Sequence, residues 1–165
     1  QHKVPHFLAK GFAEEGFIAV RPNFRGVGKT EGTHDAGSGE TDDLLSLIHT
    51  IKTDQPNLPL HLVGFSFGAF VTSHAASQLA PSGHLEKLVL VGAAASRFQL
   101  APVPLDLHEK TLVVHGEVDD TVPLASVMDW ARPQSLPVSV IPGVEHFFHG
   151  QLPLLRSLVS RHLRS

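Results

Sequence analysis

The chain contains no cysteine, which excludes a disulfide framework, a thiolate nucleophile and a thiolate metal site. Covalent chemistry must therefore use another residue. Long apolar runs are also missing. The longest, from Leu88 to Ala95 with Gly92 inside it, is far short of the roughly 20 residues a spanning helix needs, so no membrane partner is expected. Neither charge sign dominates: 13 Lys and Arg stand against 16 Asp and Glu, for a formal net charge of -3. The basic residues are scattered, so a nucleic-acid partner is not expected either. Residues 1–10 hold no apolar core of the kind a secretory signal carries. With cysteine absent as well, the expected location is cytoplasmic. No period repeats and no stretch is low in complexity. What is present, 165 residues with 42% hydrophobic and 18% charged, suits a single domain over 1–165 able to bury a sizeable core.

Short β-rich runs alternate with helical patterns. Residues 17–21, 60–64, 87–92, 111–115 and 138–141 are rich in Val, Ile and Leu and bounded by Gly, Pro or Asn, which predicts buried strands. Near-continuous apolar runs of this kind belong to a parallel sheet covered on both faces. Between them, residues 4–15 carry Val4, Phe7, Leu8 and Phe12 on one helical stripe, and residues 40–55 place Leu44, Leu47, Ile48 and Ile51 at helical spacing. Residues 67–80 are small or apolar nearly all round, predicting a helix covered on several sides. Residues 124–132 and 152–164 complete the helices. The alternation predicts an α/β fold, a three-layer sandwich with a mostly parallel sheet of about five strands.

Gly64-Phe65-Ser66-Phe67-Gly68 fits G-x-S-x-G where a predicted strand passes into a predicted helix. A serine on such a turn exposes its hydroxyl above the sheet edge, and the flanking glycines let strand and helix backbones approach closely. The Phe67 amide, at the helix start, is the expected oxyanion donor. The competing reading is a glycine-rich turn with an incidental serine.

A serine hydroxyl needs a general base to become a nucleophile. Of the 12 histidines, His146 lies in Gly143-Val144-Glu145-His146-Phe147-Phe148-His149-Gly150, after the last predicted strand and before the last helix. Sites in open α/β sheets collect at such C-terminal strand ends. His146 is the expected base, with His149 as the fallback. The acid that fixes the imidazole is sought in His115-Gly116-Glu117-Val118-Asp119-Asp120, again at the end of a strand. Asp119 is preferred over Asp120, and the order Ser66, Asp119, His146 is the chain order of this motif class. Taken alone, Asp119 is equally readable as a turn or capping residue.

At Asn23 to Gly28, Gly64 to Gly68, His115 to Asp119 and His146 to Gly150 the chain resembles the α/β-hydrolase superfamily, in particular small bacterial serine-hydrolase-like proteins of the esterase or thioesterase kind. The resemblance runs through nearly the whole chain and supports Asp119 over Asp120 as the acid. It implies hydrolysis of an ester, thioester or related acyl bond of a small molecule, with no cofactor. Phe65, Phe67, Phe147 and Phe148 are the candidate lining of an acyl pocket, with core packing as the competing use of the same rings. Residues 96–110, with Pro102 and Pro104, are too short for a large lid.

The same resemblance implies further strands, and a loop supplying a second oxyanion amide, ahead of the helix at 4–15. The chain opens on Gln1 at that helix, so an N-terminally incomplete hydrolase is expected, with strands 17–21 and 60–64 either separated or paired directly. One lost oxyanion donor costs about 10²- to 10³-fold in rate. A non-catalytic, ligand-binding version of the fold is the alternative, and unpaired sheet edges favour a homodimer. Two other patterns fail. Gly26-Val27-Gly28-Lys29-Thr30 lacks the P-loop's first glycine, since Asn23 stands there. His146 and His149 lack the glutamate of a zincin helix, so no metal is expected.

Overall fold

Four consecutive residues of β2 (Leu85–Val91) explain why the sheet is covered on both faces. Successive side chains of a strand point to opposite faces. Leu88 and Leu90 enter one core while Val89 and Val91 enter the other, all of them fully buried. The computed structural model describes residues 3–22 and 37–165. In it β2 lies between β1 (Leu60–Phe65) and β3 (Thr111–Gly116), and β3 is flanked by β4 (Ser139–Ile141). Every pairing is parallel, with Gly64 beside Leu90, Leu90 beside Val113 and Val114 beside Ser139. Parallel neighbours require crossovers. These carry α3 (Phe67–Leu79) between β1 and β2, and α4 (Leu124–Ala131) between β3 and β4.

One core joins α2 (Ser38–Asp54), α3 and α4 to one face of the sheet through Leu44, Ile48, Phe70, Val71 and Val127. The opposite core joins α1 (Lys3–Glu14) and α5 (Leu152–Arg164) through Val4, Leu8, Leu155 and Val159. This is the three-layer α/β arrangement that the alternating pattern predicts, and the helices fall close to their expected bounds. α1 stops at Gly16, whose φ of 96° is open to glycine without strain. The Phe17 amide reaches back to Phe12 O and the Gly16 amide to Ala13 O, which satisfies carbonyls at the helix end.

Among the described residues the sheet has four strands rather than five. Residues 17–21 make no ladder with any strand among the described residues, and Ile18 and Val20 are 66% and 48% exposed. β-branched composition favours an extended chain, but a strand needs a neighbour about 4.8 Å away to take its backbone hydrogen bonds. Residues 16–22 instead form one wall of a cavity of about 1240 Å³, with the whole of β1 among its other lining residues. Leu8 and Phe12 of α1 and Leu44 and Ile48 of α2 also line it. Direct pairing of 17–21 with β1 is not seen. Residues 23–28, which contribute to the superfamily resemblance, and the rejected nucleotide-binding stretch 26–30 lie outside the described residues.

Among the described residues no helix is long and apolar enough to cross a membrane. The connection from β2 to β3 is pinned along α3 and α4. Ala101 N donates to Ser73 Oγ, Trp130 Nε1 donates to Ala101 O, and Val103 N donates to Gln134 Oε1.

Candidate active site

Ser66 sits between β1 and α3 with φ 58° and ψ -119°, a conformation non-glycine residues rarely adopt. Backbone strain of this kind costs about 1–3 kcal/mol and persists only where the surroundings impose it. Here the Ser66 amide donates to Val91 O at the end of β2, while Ser66 O accepts from the Ala69 and Ala94 amides. The turn is tight because Gly64 has no side chain: a Cβ there would lie 2.7 Å from Ala69 Cα, Gly68 O and Thr72 Oγ1. The half-buried hydroxyl of Ser66 is thereby held at the C-terminal edge of the sheet.

His146 arrives from the loop after β4. Its Nε2 lies 3.0 Å from Ser66 Oγ, and its Nδ1 lies 2.7 Å from Asp119 Oδ2. Between a hydroxyl and a carboxylate, the neutral ring carries its proton on Nδ1, which donates to Asp119, and leaves Nε2 to accept from Ser66. His146 is 1% exposed and Asp119 6%. Burial disfavours ionisation of Asp119. The hydrogen bonds from His146 and from the Val122 amide outweigh it and hold the carboxyl below its ordinary range. The Thr121 amide donates to the same Oδ1, so both carboxylate oxygens are engaged.

The alternatives separate cleanly. Asp120 is exposed, and the side chain of His149 is 69% exposed with its Nδ1 3.2 Å from Glu145 rather than near Ser66. Phe65 and Phe147 flank the imidazole, each with a ring centroid 4.9 Å from that of His146. Together with Phe67 and Phe98 they line the cavity at Ser66. Phe148 does not. It is 1% exposed and packs in the core with Val4, Val114 and Leu155, so its expected place in the pocket is corrected. A φ of 55° at Phe148 belongs to this tight loop, which sends successive side chains to different environments.

Sequence reasoning missed the residues that hold this loop. Glu145 accepts hydrogen bonds from the Phe147 and His149 amides, and Glu117 accepts from the Gly143 amide. The only signal was a carboxylate beside the histidine, too common to read alone. The Phe67 residue opens α3 directly after Ser66, where a helix N-terminus favours negative charge.

A family model described as serine aminopeptidase, S33, matches residues 2–113, a stretch that includes Ser66 and ends before Asp119 and His146. The chain is similar to a solved structure from Xanthomonas campestris described as an α/β serine hydrolase without lid. Identity is 32% and the TM-score 0.82, over 99% of this chain and 73% of that one. It is similar too to an α/β serine hydrolase homologue from Coxiella burnetii, at 36% identity and TM-score 0.72, over 99% of this chain and 77% of that one. A curated relative, an uncharacterized protein of Rickettsia prowazekii (strain Madrid E), is 27% identical over 158 residues, covering 89% of this chain. The chain spans 65% of that relative's length. By its family match, its fold and the placing of its serine turn, the chain belongs to the α/β-hydrolase superfamily, in the family described as serine aminopeptidase, S33.

Proposed function

We propose that the protein is a serine hydrolase that cleaves an ester, thioester or related acyl bond of a small molecule through an acyl-enzyme. The observation that carries this reading is the continuous hydrogen-bonded line from Ser66 Oγ through His146 to Asp119, at 3.0 and 2.7 Å. In the first half-reaction Ser66 Oγ attacks the acyl carbon and its proton passes to His146 Nε2. Asp119 stabilises the imidazolium without taking the proton itself. The negative oxygen of the tetrahedral intermediate is assigned to the Phe67 amide. Collapse breaks the bond to the leaving group, which takes the proton from His146. Water, deprotonated by His146, then releases the acid and restores Ser66.

The rings of Phe65, Phe67 and Phe147 along the cavity suit an apolar acyl group, and no step draws on a cofactor. The test is labelling of the purified chain with a fluorophosphonate, with the modified peptide mapped by mass spectrometry. Modification is expected at Ser66 and is expected to disappear in His146→Ala. A folded chain that takes no label overturns the reading in favour of a non-catalytic cleft.

A further inference from the structure

His115 is fully buried at the C-terminal end of β3 and has no role in the steps above. Its Nε2 lies 2.7 Å from Val122 O and 3.4 Å from Asp119 Oδ2. Its Nδ1 is buried without a hydrogen-bond partner. Both neighbours of Nε2 are acceptors, so the ring proton belongs on Nε2 and donates to Val122 O, with Asp119 Oδ2 close by. A second proton on Nδ1 would leave a buried N–H without an acceptor. The titratable groups that face the ring are Asp119, on the turn after β3, and His146, on the loop after β4. Burial holds His115 below the usual histidine range, against the opposing pull of the Val122 carbonyl and the Asp119 charge.

We infer that His115 is a positioning residue for the reaction: a neutral imidazole that ties the turn carrying Asp119 to the end of β3 and keeps Asp119 Oδ2 aimed at His146. The inference rests on the serine hydrolase reading of Ser66. The geometry supports it in two ways. Val122 is engaged at both ends, its amide donating to Asp119 Oδ1 at 2.7 Å and its carbonyl accepting from His115 at 2.7 Å. The carboxylate is thus held in a chain of hydrogen bonds that runs from His115 on β3 through Val122 to Asp119, whose own amide donates to Gly116 O at the end of β3. Neutrality matters equally. A cationic group at this place would compete with the imidazolium of His146 for the same carboxylate oxygen, whereas a neutral N–H orients Asp119 and leaves its charge to His146.

The test compares His115→Gln, which keeps an N–H donor at similar reach, with His115→Leu, which keeps the bulk alone. The readout is the rate of Ser66 labelling by a fluorophosphonate per folded molecule. His115→Leu is expected to label about 10- to 100-fold more slowly, and His115→Gln to restore most of that rate even where both variants melt earlier. Wild-type speed in His115→Leu, or equal slowness in the two variants, overturns the proposal. Should His115→Leu not fold, His115→Asn, whose amide falls short of Val122, takes its place with the same loss expected. Histidine ¹⁵N resonances of the unaltered protein are the second measurement. A neutral Nε2–H tautomer at His115 across neutral pH supports the proposal, and a cationic ring or an Nδ1–H tautomer overturns it. If the unaltered chain takes no label, the reading of Ser66 fails by itself, and the tautomer still decides what His115 does.

Discussion

Gly116 shows how one missing side chain places the histidine loop. It is the last residue of β3, and a Cβ there would run into the carbonyl of Val144 and lie 3.1 Å from Glu145 O. Backbone rather than a flexible side chain occupies the space, so an added methyl can be accommodated only by moving the loop that carries His146. Reacting groups displaced by about 1 Å lose about 10²-fold in rate. Gly116→Ala is therefore expected to slow Ser66 labelling by about that factor while the chain remains folded by circular dichroism. Labelling at the unaltered rate would show that the loop does not depend on this contact.

The two helices of the α1–α5 layer are joined by charge as well as by their apolar stripes. Glu14 and Glu15 lie at the C-terminal end of α1, where the helix dipole disfavours carboxylates. α5 supplies the remedy. Arg156 donates to Glu14 Oε1 at 3.0 Å, to Glu15 Oε2 at 3.2 Å and to Gly11 O at 3.3 Å. Arg164 pairs with Glu15, and Ser160 Oγ donates to it at 2.8 Å. The Ser160 hydrogen bond comes first among the causes that hold the Glu15 carboxyl below its usual range, with the two arginines adding to it. Arg156→Ala removes three contacts at a partly exposed site, so a loss of about 1 kcal/mol is expected. Urea titration should show a lower midpoint with an unchanged slope, and the difference from the unaltered protein should shrink at high salt.

At the scale of the molecule, buried imidazoles and depressed carboxylates set the response to acid. His115, His61 and His162 are each held below the ordinary histidine range, chiefly by burial. As pH falls below about 6.5 the unfolded chain takes up protons at these positions while the folded chain does not, so stability declines toward their folded values. Asp119 is depressed in the folded state, and its contribution is complete above about pH 4 and lost as pH falls through its folded value. Melting temperature is therefore expected to be flat above about pH 7, to decline below about pH 6.5 and to drop further below about pH 4. In calorimetry across this range, His115→Gln should show a shallower first decline, because one group that prefers the unfolded state's proton has been removed. An equal decline in the two proteins would assign that acid sensitivity to other groups.

Much of this was legible in the residue order. β1, β2 and β3 are short apolar runs between turn formers, and the serine turn is readable because Gly64 and Gly68 bracket Ser66 at a strand-to-helix junction. Asp119 and His146 could be named because each follows a strand in the right order, and local pattern reports such strand ends directly. Three features were decided only by the tertiary structure. Residues 17–21 have strand composition without a ladder, because pairing depends on which chain lies alongside. Phe148 points into the core while its neighbour Phe147 lines the cavity, because the backbone of the loop reverses between them. His115 and Val122 close around Asp119 only once β3 and its turn are folded. The sequence by itself determined the alternation of elements and the kinds of group at the strand ends, since propensity and hydrophobic period act over a few residues. Strand neighbours and the meeting of Ser66, His146 and Asp119 were decided by the tertiary structure, since each depends on groups far apart in the chain.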